Sequence, residues 1–311
     1  MTPGGEYHVA TFYRFVAIRD TEHLRTRMQR DGAELGLAGT VLIAREGING
    51  TIAGPPGAVD SWLDAWRADP RFAGLRVGFS TAPEIPFHRW KVKTRDEVVA
   101  LGRHEVDPEV VAGERVDVAT WNRLLDDPEV VVVDVRNRYE TAVGTFPGAL
   151  DPDTRAFNEF PAFVARRLDP GRDRKVAMFC TGGVRCEKAS SYLLSVGFPE
   201  VLQLQGGILG YFANAPVHNR FAGDCFLFDQ RVAVARDLGV GEWESCRACR
   251  SPLARHDRLS PLFRQGESCP RCHDMLTEAQ RSRFAERRRQ VSLAAARGER
   301  HVGARMRTEN P

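Results

Sequence analysis

The stretch from Lys175 to Phe198, KVAMFCTGGVRCEKASSYLLSVGF, decides the fold of the central part of the chain. Its first five residues form an apolar run that is typical of a strand buried on both faces, and the residues from about Cys186 have helical spacing. A short loop with two glycines lies between them. A strand that leads through a loop into a helix predicts one unit of a parallel α/β sheet, with functional residues at the carboxyl ends of its strands.

Similar patterns flank this stretch on both sides. EVVVVDVR, which ends at Arg136, and VLQLQGGI, which begins at Val201, are two further apolar runs suited to buried strands. DVATWNRLLDD predicts a short helix that Asp117 caps. The alternation of strands and helices therefore predicts a parallel α/β domain over residues 117–222.

Cys180 is the candidate catalytic residue, because it stands at the end of the buried strand and at the head of the loop. Inward-pointing backbone N–H groups and the start of the following helix would favour an anionic sulfur there. We therefore expect the pKa of Cys180 to lie below the usual value of about 8.5. An inert cysteine buried at a strand end is the alternative. The candidate active-site loop comprises Thr181, Gly182, Gly183, Val184 and Arg185.

Three further residues are candidates for supporting this site. Asp134 and Arg136 end their own strand, and a salt bridge or turn that ties the loop is the role we expect for them, rather than direct chemistry. Cys186 is close enough to Cys180 to act as a resolving thiol, and packing at the start of a helix explains it equally well. Both interpretations of Cys186 stay open at this point.

The first hundred residues have the order β-α-β-β-α-β, which predicts a ferredoxin-like α+β sandwich. VATFYRFVAI, GTVLIA, GTIAG and LRVGFS are strand patterns, and WKVKTRDEVVAL could add one more strand. Helical spacing of Leu24, Met28 and Leu35 predicts the buried face of the first helix. Asn49-Gly50 offers the positive φ angles of a tight turn and predicts the hairpin between the second and third strands.

Two pairs of cysteines near the C-terminus predict a metal site. Four thiolates in two knuckles, separated by nineteen residues, suit a tetrahedral zinc ion with a structural role, and disulfides or free thiols are the alternatives. All seven cysteines lie in the second half of the chain, and no export pattern suggests a disulfide framework. We expect Cys225, which has no partner by spacing, to belong to the core. The predicted zinc ligands are Cys246, Cys249, Cys269 and Cys272.

Composition and charge limit the function classes that remain. With 311 residues, 42% hydrophobic and 27% charged, the chain is typical of a globular protein with two or three domains. No run approaches the roughly 18 apolar residues of a membrane span, so we expect no membrane association and a cytoplasmic location.

Nine arginines follow residue 280, in a tail that predicts either solvated disorder or an auxiliary contact with phosphates. Trp90, among basic residues, suits either stacking on a base or the core.

The middle of the chain resembles the rhodanese family. The resemblance rests on DVR followed by YE, then GTFPGA, FCTGGVRC and LQGGI, and it covers Asp117 to about Phe221. In that family a loop of six residues from cysteine to arginine suits a persulfide, whereas seven residues make room for phosphate in related phosphatases. Cys180 to Arg185 is six residues, so the resemblance disfavours a phosphatase.

The chain as a whole resembles the bacterial tRNA uridine hydroxylase family over residues 7 to 280. The motifs are EGINGTIAG, PFHRWKVKTRDEVVALG, FCTGGVRCEKASSYL, LQLQGGILGYF and CFLFDQRVAV, in that family's order. This resemblance implies oxygen-dependent conversion of the wobble uridine of tRNA to 5-hydroxyuridine, with molecular oxygen as co-substrate and Cys180 as the essential cysteine. A sulfurtransferase that forms a persulfide on Cys180 and a non-enzymatic adaptor are the alternatives. We find no flavin or NAD motif, and the sequence does not predict an oligomeric state.

These patterns divide the chain into five expected segments. They are a ferredoxin-like domain at 1–102, a linker at 103–116, a rhodanese domain at 117–222, a cysteine-rich zinc-binding region at 223–280 and a basic, disordered tail at 281–311.

Overall fold

The computed structural model describes residues 6–215 and 219–298, which form two compact units. The first unit runs as far as Asp229 and also includes residues 233–241, and the second consists of residues 230–232 and those from Glu242 onward. Among the described residues, no helix combines the length and apolar character that crossing a bilayer requires.

The N-terminal part of the first unit is a two-layer sandwich of five strands and two helices. Its sheet has the order β4-β1-β3-β2-β5, in which only the pairing of β2 with β5 is parallel. Both helices share one apolar core with the sheet, and this confirms the predicted ferredoxin-like order with β5 as the added strand. The elements are β1 (Tyr7–Phe15), α1 (Thr21–Glu34), β2 (Ala38–Ala44), β3 (Gly47–Gly54), α2 (Pro56–Arg67), β4 (Arg76–Ala82) and β5 (Trp90–Thr94).

Two local predictions in this domain are wrong. The hairpin turns at Arg45 and Glu46, since Ala44 pairs with Gly47, and the expected turn residues Asn49 and Gly50 lie inside β3. Gly47 is required after this turn, because a Cβ at its position would stand 2.1 Å from the carbonyl oxygen of Arg14 on the neighbouring strand. Helix α1 ends at Glu34, so Leu35 is an exposed end residue instead of part of the buried face.

The second part of the first unit is the predicted parallel α/β domain. Its main sheet has four parallel strands in the order β6-β10-β9-β7, and it contains the three strands expected from sequence. The edge strand β6 comes from the stretch predicted to be a linker, so the linker is shorter than expected. The elements of the sheet and its helices are β6 (Glu114–Val116), α3 (Val118–Leu124), β7 (Val130–Asp134), α4 (Arg138–Thr141), β8 (Gly144–Thr145), α5 (Phe160–Arg167), β9 (Lys175–Phe179), α6 (Val184–Ser195), β10 (Glu200–Leu204) and α7 (Gly207–Asn214).

Strand β9 is buried on both faces because successive side chains enter different cores. Val176 and Met178 pack in the core that contains α5 and α6, whereas Ala177 and Phe179 pack in the core that contains α3 and α7. This double burial explains why the strand is a continuous apolar run instead of an alternating pattern. Short ladders complete the unit, in which β11 (Ala222–Gly223) pairs with β8, and β12 (Cys225–Phe226) pairs with β13 (Ala233–Val234).

The second unit is built around the C-terminal cysteines and ends in a long helix. Its elements are β14 (Glu244–Ser245), β15 (Pro252–Leu253), α8 (Arg255–Leu259) and α9 (Glu278–Ala296). The predicted disorder from residue 281 is therefore wrong as far as Ala296. Thr277 caps α9 by accepting a hydrogen bond from the Gln280 N–H at 3.2 Å, and the helix interior is rich in strong helix formers. Residues 299–311 of the expected tail lie outside the described residues.

Candidate active site and metal centre

Cys180 lies at the carboxyl end of β9, a central strand of the parallel sheet, and its side chain is fully buried. The backbone N–H of Gly183 donates a hydrogen bond to Cys180 Sγ over 3.1 Å. Gly183 has a φ of 99°, in the left-handed region, and α6 begins directly after it at Val184. The loop thus turns at Gly183, so that this backbone N–H faces the sulfur atom.

The surroundings of Cys180 stabilise its thiolate. Burial on its own raises the pKa, but the hydrogen bond from the Cys186 thiol, the charge of Arg185 and the N–H groups of Cys186 and Gly183 lower the pKa to about 6. The pKa of Cys186 moves the other way, well above its ordinary value, because of burial and the neighbouring Cys180 sulfur. Cys186 therefore keeps its proton and uses it as a hydrogen-bond donor to Cys180.

Arg185 is held in place by a buried carboxylate that the sequence analysis did not single out. Its guanidinium donates two hydrogen bonds to Glu140, at 2.6 and 2.7 Å, and a third to Thr181 Oγ1 at 3.3 Å. Glu140 has no solvent exposure and also accepts a hydrogen bond from the backbone N–H of Asn137 at 3.1 Å. Glu140 belongs to the YE motif quoted for the rhodanese resemblance, which was the available signal for this partner.

Asp134 and Arg136 form a second buried ion pair beside the loop. Arg136 donates from Nε and Nη2 to the Asp134 carboxylate at 2.8 and 2.6 Å, and Nη2 also contacts the Gly144 carbonyl. Asp134 accepts a further hydrogen bond from Thr145 Oγ1 at 2.8 Å. These contacts tie the end of β7 to β8. Asp134 lies opposite Phe179 in the sheet register, one residue before Cys180.

The ferredoxin-like domain contacts the helix that carries the loop. Tyr13 on β1 donates its hydroxyl hydrogen bond to Glu187 at 2.8 Å, and Arg115 donates two more to the same carboxylate at 2.7 and 3.0 Å. Lys188, which is fully buried on α6, binds the carboxylates of Glu46 and Glu97. Sequence alone did not predict these contacts, because the partners lie up to 174 positions apart.

Trp90 belongs to the core of the ferredoxin-like domain. Its ring packs edge-on against Trp62 at 5.9 Å, and its Nε1–H donates to the Gln29 carbonyl at 3.0 Å. A Cβ on Gly32 would collide with the same ring, so this glycine makes room for it. The core role of Trp90 is therefore favoured over base stacking.

The four C-terminal cysteines converge in space. All four sulfur atoms lie within 4.8 Å of one another, a group that could hold a metal ion. The Sγ–Sγ distances are 3.9 Å for Cys246–Cys272 and 3.7 Å for both Cys249–Cys269 and Cys269–Cys272. A tetrahedron with Zn–S bonds of about 2.3 Å has edges of about 3.8 Å. The geometry and the soft thiolate donors thus fit zinc. Cys225, by contrast, is fully buried in the core of the α/β domain.

Comparison with known proteins identifies two domain families in the chain. Residues 7–98 match the UPF0176 acylphosphatase like domain, and residues 117–214 match the rhodanese-like domain. Together they cover the ferredoxin-like and parallel α/β parts of the first unit.

Curated relatives match nearly the whole chain. The chain is 46% identical to a tRNA uridine(34) hydroxylase of Mesorhizobium japonicum over 97% of this chain and 98% of that protein. It is 45% identical to a tRNA uridine(34) hydroxylase of Teredinibacter turnerae over 96% of this chain and 94% of that protein. Among solved structures, a rhodanese-related protein from Thermoplasma volcanium overlaps 33% of this chain and 93% of its own, at 20% identity and a TM-score of 0.28.

Proposed function

The chain belongs to the tRNA uridine(34) hydroxylase family, and we propose that it converts uridine 34 of tRNA to 5-hydroxyuridine at the Cys180 loop. The observation that carries this assignment to a site is the buried Cys180 thiol at the strand end, where its sulfur accepts the Gly183 N–H at 3.1 Å and Glu140 holds Arg185 in place. These surroundings lower the pKa of Cys180 to about 6. At pH 7 such a group is roughly nine-tenths ionised. A sulfur anion is therefore the resident reactive group.

The proposed reaction begins with addition of the Cys180 thiolate to C6 of the uracil ring. The bond from sulfur to C6 forms while the C5–C6 double bond opens, and the electron pair is delocalised over C5 and the C4 carbonyl. C5 then bonds to one atom of molecular oxygen, the co-substrate. The other oxygen atom is released as water, with two electrons from an external donor and two protons. Loss of the C5 proton and departure of the thiolate restore the double bond.

The chain's own residues stabilise the Cys180 thiolate at the start and at the end of this cycle. The Gly183 N–H and the Cys186 thiol hold the anion before addition and after departure. Arg185 supplies positive charge, and Glu140 fixes its guanidinium without contacting the sulfur. Asp134 and Arg136 are positioning residues in this proposal, because their contacts stiffen the strand end beside the loop.

We assign zinc to the four-cysteine cluster, with a structural role. Four thiolates complete the tetrahedral set, so no position is open for a reacting molecule. The ion would cross-link β14, β15 and the segment before α9.

A tRNA substrate also accounts for the proposed cytoplasmic location.

Nucleoside mass spectrometry of tRNA tests the proposed function. A strain that lacks the gene should lose 5-hydroxyuridine and its derivatives, the wild-type gene should restore them, and the Cys180→Ser variant should not. Circular dichroism of purified Cys180→Ser protein controls for loss of folding. Persistence of 5-hydroxyuridine in the Cys180→Ser strain contradicts the proposal. Loss of thiolated nucleosides in the deletion strain, with 5-hydroxyuridine intact, would indicate sulfur transfer instead.

A further inference from the structure

A cleft of about 1010 Å³ adjoins the Cys180 loop on the side of the ferredoxin-like domain. One wall comes from β1 and the edge strand β4 of the five-stranded sheet, with Arg14, Arg76 and Gly78, and the other includes Gly182 and Gly206 of the α/β domain. Small-molecule sites are typically about 300–1,000 Å³, so this cleft exceeds the needs of a single uracil ring. Cys180 itself does not line it. The cleft is therefore a separate space beside the reactive sulfur.

The cleft presents positive charge that the protein only partly neutralises. Arg76 stands 3.9 Å from Glu187, but that carboxylate already accepts two closer hydrogen bonds from Arg115. Arg14 lies 3.7 Å from Glu109, with both side chains more than a third exposed. Its Nε atom is buried and makes no hydrogen bond within the part of the chain that the structure describes. Both ion pairs are long, so each guanidinium group keeps positive charge for a further anion.

The rest of the lining leaves this charge in place. The ring of Phe79 takes no part, because Phe79 lies opposite Ala10 in the strand register and shares the core face of the sheet, whereas Arg76 and Gly78 lie on the face toward the α/β domain. Asp117 also lines the cleft, but its carboxylate caps α3 by accepting from the Thr120 N–H at 2.8 Å. Partly neutralised guanidinium groups in a cleft beside a reactive residue suit contacts with the phosphate backbone of a nucleic acid.

We propose that this cleft binds the backbone of the substrate tRNA at a nucleotide next to the reacting uridine, with Arg14 and Arg76 against phosphate. The proposal rests on the proposed function, since it takes the Cys180 loop as the place of reaction. Gly182 forms part of the cleft wall and of the loop, so a nucleotide held there lies directly beside the target.

Gly78 on β4 offers a sharp test, because a side chain at this cleft position meets no atom within 4 Å. Gly78→Glu places a carboxylate in the cleft, and Gly78→Gln places a neutral side chain of the same shape. The Kd for an unmodified tRNA transcript with uridine at position 34 should be about tenfold higher for the Glu variant than for the Gln variant. The difference should shrink as the salt concentration rises.

Gly57 on α2 supplies the matched control, since it also has open space around its Cα and does not line the cleft. The Gly57→Glu variant should bind the transcript as the wild-type protein does. Equal affinities of the two Gly78 variants, with wild-type hydroxylation intact, would overturn the cleft proposal and leave the proposed function standing. Absence of hydroxylation by the wild-type protein would instead contradict the proposed function. The two failures can be distinguished, because the binding measurement does not depend on turnover.

Discussion

At Cys180, hydrogen bonds and positive charge lower the pKa more than burial raises it. A fully buried thiol normally keeps its proton, since desolvation penalises the anion. Here the Cys186 thiol, the Arg185 charge and two backbone N–H groups reverse that preference. Cys225 shows the contrast, because it is equally buried and has a pKa raised to about 12, with Arg136 only partly offsetting burial. The loop, and not the depth of burial, therefore determines which cysteine is reactive.

The pH dependence of the reaction should report this thiolate. The pKa of Cys180 lies below the ordinary cysteine value, at about 6, so the reactive anion is present above pH 6 and is lost as the pH falls through that value. The single-turnover rate should rise with pH to a plateau above about pH 7, with a midpoint near 6. Thiolate absorbance near 240 nm, taken as the difference between wild type and Cys180→Ser, should titrate with the same midpoint. A midpoint between pH 8 and 9 would contradict a stabilised anion.

At the scale of the element, the two loop glycines have different duties. Gly183 has a positive φ, and an added Cβ would stand 3.0 Å from the hydroxyl oxygen of Tyr13. Gly182 lies outside the left-handed region, and its added Cβ would meet a methyl group of Thr11 at an ordinary 3.5 Å. Of the two glycines, only Gly183 donates its N–H to the Cys180 sulfur. The left-handed turn at Gly183 therefore aims the donor that stabilises the thiolate.

Substitution of the two glycines should separate these roles. Gly183→Ala should lower the free energy of unfolding by about 1–2 kcal/mol, the cost of a left-handed backbone for a residue with a Cβ. It should also raise the pKa of Cys180, because the shifted N–H no longer points at the sulfur. Gly182→Ala, the matched control, should change both quantities much less. Chemical denaturation and thiolate absorbance measure them, and equal effects of the two substitutions would argue against a special duty of Gly183.

Some elements of this fold were predicted from the sequence and others were not. Patterns of apolar residues predicted the strands, the paired glycines predicted the cysteine loop, and the spacing of the cysteines predicted the four-cysteine group, because each feature is encoded by nearby residues. The hairpin turn was misplaced because Asn49-Gly50 has turn propensity, whereas the close approach of Gly47 to β1 determines the register. Glu140 was not assigned a role, because its pairing with Arg185 joins residues 45 positions apart. Contacts of that kind depend on tertiary structure, which a single sequence does not display.

At the scale of the whole molecule, the first unit joins its two domains through buried charge. Lys188 has no solvent exposure and binds Glu46 and Glu97 of the ferredoxin-like domain. Glu187, one residue earlier, binds Tyr13 of the same domain. A buried charge left without its partner is strongly destabilising. The α/β domain therefore depends on the ferredoxin-like domain for the partners of α6, which is why we expect the active loop to require both domains.

The second unit depends on its metal ligands for a core. Its buried cluster consists of Leu253 and three of the four cysteines, Cys246, Cys269 and Cys272, with three partly buried apolar residues around them. So small an apolar group does not offset the entropy of ordering the segment, and we therefore expect metal binding at the four cysteines to contribute to its folding. We therefore expect metal analysis of the purified protein to find one zinc ion per chain.

Removal of that ion should unfold the second unit selectively. After treatment with a strong chelator, hydrogen exchange should accelerate at β14, β15 and the segment before α9, while β9 and α6 keep their protection, because their core contains no metal ligand. Cys269→Ser should reproduce the same pattern without chelator, since it removes one ligand and opens the tetrahedron. Cys225→Ala is the matched control, because that cysteine lies in the core of the first unit and should leave zinc content unchanged. Purified protein that lacks zinc and retains protection in the second unit would show that the apolar cluster suffices, and the four sulfur atoms would then need another explanation.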